Sequence, residues 1–173
     1  MKISLIISES HVYVKQTIDK IFGNFSDVIR INYSNTELGE IIYEFASVSL
    51  FEEKKYIVVE NSDEIFSKSF ESSDLIDYLK NPSDLSNIIF VASKVDKTNE
   101  IYKYILKNYQ VFDSTEKRYN DNIIGVKEYI KKKNSHISDK ALEYLKEATL
   151  NNYDLMINEI DKLLILGKNN ISD

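Results

Sequence analysis

Lys15 and Thr17 follow the first apolar run of the chain, in the stretch SESHVYVKQT from Ser8 to Thr17. They stand where a nucleotide-hydrolysing protein carries a phosphate-cradling loop. That chemistry needs glycines whose backbone N–H groups approach the phosphates, a Lys on the β/γ oxygens and a Ser or Thr on magnesium. The stretch has no glycine and no Gly-Lys-Ser/Thr, and its bulky side chains hold a phosphate away from the backbone. The third apolar run ends in Glu60-Asn61, where an Asp-Glu pair would hold magnesium and orient water. Asp63-Glu64, three residues on, reads as the start of a solvated helix. Met156 stands near the place where an ATPase would touch its nucleotide with an Arg, and its helical spacing is that of core. His11 and His136 lack metal-ligand partners at the usual spacings and read as surface residues. There is no G-x-S-x-G elbow and no G-x-G-x-x-G turn. The expectation is a chain with no catalytic residue, no cofactor and no metal.

The other candidate for function is an apolar pair. Leu50-Phe51 lies between the end of a helical pattern and the charged run Glu52-Glu53-Lys54-Lys55, with the apolar strand Tyr56–Val59 directly after. Either the pair packs under a sheet like Phe45 and Val58, or it is presented to a partner as a compact anchor for an apolar pocket. The residues alone leave both open.

Composition narrows the class. With 43% hydrophobic residues in 173, the chain can build a core of one medium domain or a domain plus a small appendage. No apolar run approaches bilayer length and the N-terminus lacks a signal-peptide layout. Cysteine is absent, which excludes disulfides and thiolate metal sites and fits a reducing cytoplasm. A net charge of −6 argues against a strong grip on nucleic-acid phosphates. The dense basic cluster Lys131-Lys132-Lys133 follows Ile130 at a helix end, where it complements the helix dipole.

These residues are positioned by an alternating pattern. Apolar strands are expected at Lys2–Ser8, Val28–Asn32, Tyr56–Glu60, Ile88–Ser93 and Gln110–Asp113, with helices from His11, over Asn35–Ser47, in SSDLIDYLKN before Pro82 and over Thr98–Asn108. Continuous apolar strands separated by helix-length segments imply a parallel sheet covered on both faces. Residues 1–117 therefore read as a doubly wound α/β domain. From about Asn120 the pattern predicts three helices and no strand, with Ser138 and Asn152 opening the second and third and Gly167 closing the last. Residues 118–173 read as a small three-helix lid. A five-stranded parallel sheet flanked by helices, followed by such a lid, is the outline of an AAA+ module.

Three blocks carry a resemblance: SLFEEKKYIVVEN (Ser49–Asn61), FVASKVDKTNEIYKYILKN (Phe90–Asn108) and DLMINEIDKLLI (Asp154–Ile165). In order and spacing they resemble the N-terminal two domains of the delta subunit of the bacterial DNA polymerase III clamp loader. Ser49, Leu50, Phe51, Lys54 and Lys55 meet its Ser-Leu-Phe and basic-pair pattern, and Lys94, Asp96, Lys97 and Lys103 its Lys-x-Asp-Lys and following helix. The resemblance implies an AAA+-shaped cytoplasmic protein without an ATP site, not an enzyme by itself, that helps open the ring-shaped sliding clamp during DNA replication. It assigns clamp contact to Val48, Ser49, Leu50 and Phe51; the family commonly has a longer apolar residue at position 48. It also implies a helical collar domain, absent from these residues, that joins the tau/gamma and delta-prime subunits. Any DNA contact would be weak or indirect. The delta-prime relative usually carries a Cys-rich zinc module, which a chain without cysteine cannot build. The rival from another class is a degenerate P-loop NTPase or another doubly wound nucleotide-binding enzyme, resting on topology alone.

Overall fold

The computed structural model describes residues 2–23, 27–47, 54–115, 119–167 and 170–171, with the side chains of 119–121 and 170 left aside. Two compact units emerge. The first comprises Met1–Glu9 and Tyr13–Thr115, the second Ser10–Val12 and Glu116–Asp173.

The first unit is built on strands β1 (Ile3–Ile7), β2 (Val28–Asn32), β3 (Lys55–Glu60), β4 (Ser86–Ala92) and β5 (Gln110–Asp113), with helices α1 (His11–Phe22), α2 (Leu38–Ala46), α3 (Ser73–Lys80) and α4 (Glu100–Asn108). All neighbours pair in parallel, in the order β2-β3-β4-β1-β5. The chain leaves β1 towards the β2 edge and then steps back across the sheet. Right-handed crossovers therefore put α1 on one face and α2, α3 and α4 on the other.

The side chains follow that division. Ile3, Leu5 and Ile7 of β1, Ile57 and Val59 of β3, and Ile88, Phe90 and Ala92 of β4 pack with Ile41 and Phe45 of α2 and Leu75 and Leu79 of α3. The alternate residues Ile6, Val58 and Ile89 pack with Ile18 and Phe22 of α1. Both faces of the three inner strands β1, β3 and β4 are buried, which is why their centres read as largely apolar runs, whereas the edge strands β2 and β5 are more exposed.

Local signals set the helix ends. Gly23, at φ 73°, stops α1. Ser72 and Asn99 cap α3 and α4, accepting from the N–H groups of Leu75 and Tyr102. The second helix is shorter than the expected Asn35–Ser47. Asn32 accepts from the Ser34 N–H and starts a 3-10 turn at Tyr33–Asn35, so α2 begins only at Leu38.

The second unit holds α5 (Tyr119–Lys132), α6 (Asp139–Ala148) and α7 (Tyr153–Ile165) around Val126, Ile130, Ile137, Leu142, Met156, Ile157 and Ile160. Met156 is fully buried, as its spacing suggested. Ser138 caps α6, and Asn152 caps α7. Ile137 and Leu142, on either side of Ser138, share the same core. Asn134, at φ 53°, ends α5 with Ser135 N–H bonded back to the Ile130 carbonyl. The expectation of no strand here is corrected. A two-residue parallel ladder joins β6 (His136–Ile137) to β7 (Asn170–Ile171), extended by Ser138 N–H to the Ile171 carbonyl at 2.9 Å. Two-residue strands are too short for any periodicity to announce them.

One titratable group ties α5 to α7. Tyr129 donates its phenol to Asp161 at 2.6 Å, and burial together with that carboxylate pushes its pKa well above the ordinary 10.0. The native state thus keeps a proton that the unfolded chain releases near pH 10, so this contribution is intact below pH 10 and falls as pH rises beyond it. Tyr129→Phe is expected to cost about 1 kcal/mol at neutral pH and to flatten part of the alkaline loss of stability. Urea unfolding between pH 7 and pH 11 checks both.

Candidate functional site

The four residues assigned to partner contact, Val48, Ser49, Leu50 and Phe51, lie outside the described residues. The residues on either side of them form a fastened stem. Residues 48–53 connect the end of α2 to the start of β3. The last turn of a helix leaves carbonyls without intrahelical partners, and here three of them are met. Tyr43 C=O accepts from Ser47 N–H at 2.8 Å. Glu44 C=O accepts from the Ser47 hydroxyl at 3.1 Å and the Lys55 ammonium at 3.4 Å. Phe45 C=O accepts from the Ser86 hydroxyl at 2.7 Å and the Tyr78 phenol at 3.1 Å.

Lys55 joins the two flanks. Its Nζ donates to Glu44 Oε1 at 2.7 Å and to Ser47 Oγ at 2.5 Å, and the ammonium side chain is only 16% exposed. A cation at the end of α2 also opposes the negative end of the helix dipole. Beneath it, Phe45 is fully buried and stacks edge-on against Phe90, with ring centroids 5.8 Å apart. Tyr43, on the outward side of the same turn, is 74% exposed. The charged run Glu52–Lys55 does not announce this role in sequence, because the three acceptors of Lys55 lie eight and eleven residues back, beyond any local pattern.

Lys55→Met is expected to lower stability by about 1–2 kcal/mol, since it removes the ion pair of the half-buried Glu44 carboxylate. Lys55→Arg should recover part of the loss. Urea midpoints for the two variants measure this.

The place of a nucleotide site lies at the C-terminal ends of β1 and β4, where the strand order reverses. Asp63 corrects the expectation of a solvated helix start. Ser62–Glu64 is a 3-10 turn, and the Asp63 carboxylate accepts from the N–H groups of Ser93 and Lys94 at 3.0 and 3.1 Å and from the Ser93 hydroxyl. It fastens the segment after β4 to the segment after β3. Glu60 accepts from Arg30 at 2.6 Å, and Asn61 donates to Asn32 at 3.1 Å. Ser114 donates to Ser8 at 2.7 Å across β5 and β1. Thr17 is buried in α1, while Lys15 is exposed. The Lys-x-Asp-Lys block is likewise structural in part. Asp96 accepts from the N–H and hydroxyl of Thr98 at 2.7 and 2.5 Å, which holds its carboxyl below the ordinary range. Asn99 then spans from α4 to the carbonyls of Ile65 and Ser67.

His11 and His136 are exposed. Among the described residues, no group of three or more His, Asp or Glu is placed to hold a metal ion, and no helix is long and apolar enough to cross a membrane. Lys131, Lys132 and Lys133 are exposed at the end of α5, and the Lys133 ammonium lies 5.5 Å from the centre of the Tyr129 ring.

The fold and the sequence agree with one family. The structure is similar to that of the Bacillus subtilis DNA clamp loader delta protein (YqeN), with a TM-score of 0.74 at 15% identity, over 99% of this chain and 56% of that one. This chain therefore spans little more than half the length of that relative. No curated protein matches it in sequence. The family pattern of the DNA polymerase III delta subunit matches residues 5–115, well over half the chain. The chain belongs to the DNA polymerase III delta subunit family.

Proposed function

We propose that this chain is the clamp-contacting part of a delta subunit, which docks on a bacterial sliding clamp and helps to open the ring without hydrolysing nucleotide itself. Residues 1–117 serve as the base that carries the contact and residues 118–173 as a lid. Val48, Ser49, Leu50 and Phe51 form the contact, with Leu50 and Phe51 entering an apolar pocket of the ring. The observation that supports this most is the fastened stem: Lys55, Ser47, Tyr78 and Ser86 fix both flanks of the segment. Less ordering entropy is then lost when the segment docks.

A ligand opens a ring only through higher affinity for the open form. The contact must therefore fit better once the seam is strained. ATP acts through partner subunits, the tau/gamma and delta-prime components of a cytoplasmic loader, and any DNA contact is weak. Asp63, Glu60 and Ser8 are already engaged within the fold, which favours this reading over a degenerate NTPase.

A pull-down of the full chain on an immobilised bacterial sliding clamp tests the proposal. Retention without nucleotide is expected. Failure to be retained, together with saturable binding of magnesium-ATP, would establish the enzyme reading in its place.

A further inference from the structure

We propose that the groove between α6 and α7 is a docking site for an amphipathic helix of a partner, one that presents an apolar ridge flanked by basic side chains. The groove lies wholly within the second unit and encloses about 960 Å³. Ala141, Leu145 and Ala148 wall it along α6 at helical spacing, Leu155 and Leu163 along α7, and the β6–β7 ladder closes one end. Ile137 and Ile171 at its base belong to the unit's own core and Leu145 and Leu163 pack partly against it, while its mouth keeps apolar surface open. Tyr144 is 77% exposed and Leu155 50% exposed. Contiguous exposed apolar surface rimmed by polar groups marks an interaction site.

The shape selects a helix. Side chains four and seven residues apart on α6, and eight apart on α7, form ridges whose intervening groove accepts the ridge of a third helix. Ala141 and Ala148 keep the α6 wall low, so a helix backbone can approach closely. Another side of α7 is already taken by α5. The volume is at the upper end of small-molecule pockets, and a site walled by two helices suits a partner helix of about three turns.

The charge selects the flanks. Glu143, Glu147 and Glu159 line the groove against one ammonium, Lys140. Glu143 and Glu159 are paired along their own helices with Lys146 and Lys162, at 3.1 and 2.6 Å. Glu147 has no ion-pair partner among the described residues. A rim of this sign attracts Lys or Arg beside the ridge and repels an acidic helix. No residue of this site belongs to the segment proposed to touch the clamp, so the two proposals stand or fall separately.

The test is fluorescence anisotropy of the full chain with a labelled 16-residue designed peptide, carrying Leu at i, i+3, i+4, i+7 and i+11 and Lys on its flanks. Saturable binding is expected, at least tenfold tighter than for a peptide of the same composition with shuffled Leu positions. Leu155→Asp should weaken it at least tenfold. Glu147→Lys should weaken it several-fold and improve binding of a Glu-flanked peptide. Both sites are solvent-exposed, and circular dichroism confirms that the variants keep their helices. Absence of saturable binding, or equal affinity for ridge and shuffled peptides, overturns the proposal. So does concentration-dependent self-association in sedimentation that Leu155→Asp abolishes, because a second copy would then fill the groove.

Discussion

Replacing Leu50 and Phe51 together by Ala is expected to weaken binding to a bacterial sliding clamp by roughly 10²–10⁴-fold while leaving the fold intact. Fully burying each side chain contributes about 1.5–3 kcal/mol, and each 1.4 kcal/mol is about tenfold in affinity. On the proposed reading the loss is large because compact apolar anchors at the centre of an interface carry most of its binding energy. Titration of the variant against the clamp measures the loss, and its circular-dichroism spectrum and urea midpoint should match the parent. A large fall in the urea midpoint would mean that the pair belongs to the protein's own core.

The largest effect on stability is expected at Phe90. This ring is fully buried at the centre of the sheet and meets Phe45 and Phe66 edge-on, with centroids 5.8 and 5.9 Å away. Phe90→Ala removes both aromatic contacts and leaves a cavity that β3, β4 and α2 cannot close together. A cost of about 3–5 kcal/mol follows, a large share of the roughly 5–15 kcal/mol that holds a domain folded. Phe90→Leu keeps most of the volume and should cost less than half as much. Urea unfolding distinguishes the two. Because Phe45 also supplies the carbonyl held by Ser86 and Tyr78, Phe90→Ala should loosen the α2 end of the stem, and clamp affinity is expected to fall with stability.

Much of this architecture is legible in the residues. Leu5–Ile7 and Ile57–Val59 are apolar without a break because their alternate side chains enter two different cores. The caps Ser138 and Asn152 mark two helix starts through their own side-chain oxygens. What is not legible depends on residues distant in sequence or on elements too short for a pattern. Asn32 delays α2 through one local hydrogen bond, which helical periodicity does not report. The β6–β7 ladder pairs segments 34 residues apart with two residues each. Asp63 looks like a helix start until β4 brings Ser93 and Lys94 to its carboxylate. At the candidate site, the Leu50-Phe51 pair is conspicuous in sequence. The groups that brace its flanks are not, because Lys55, Tyr78 and Ser86 converge on the end of α2 only after β3 and β4 have paired.

Isothermal calorimetry of the full chain with a bacterial sliding clamp, in buffer without nucleotide, tests the central claim most directly. The account predicts a saturable heat of binding that magnesium-ATP leaves unchanged and that disappears with the Leu50→Ala, Phe51→Ala pair. Absence of binding by the parent chain, or equal binding by the doubly substituted chain with a native spectrum, would contradict it.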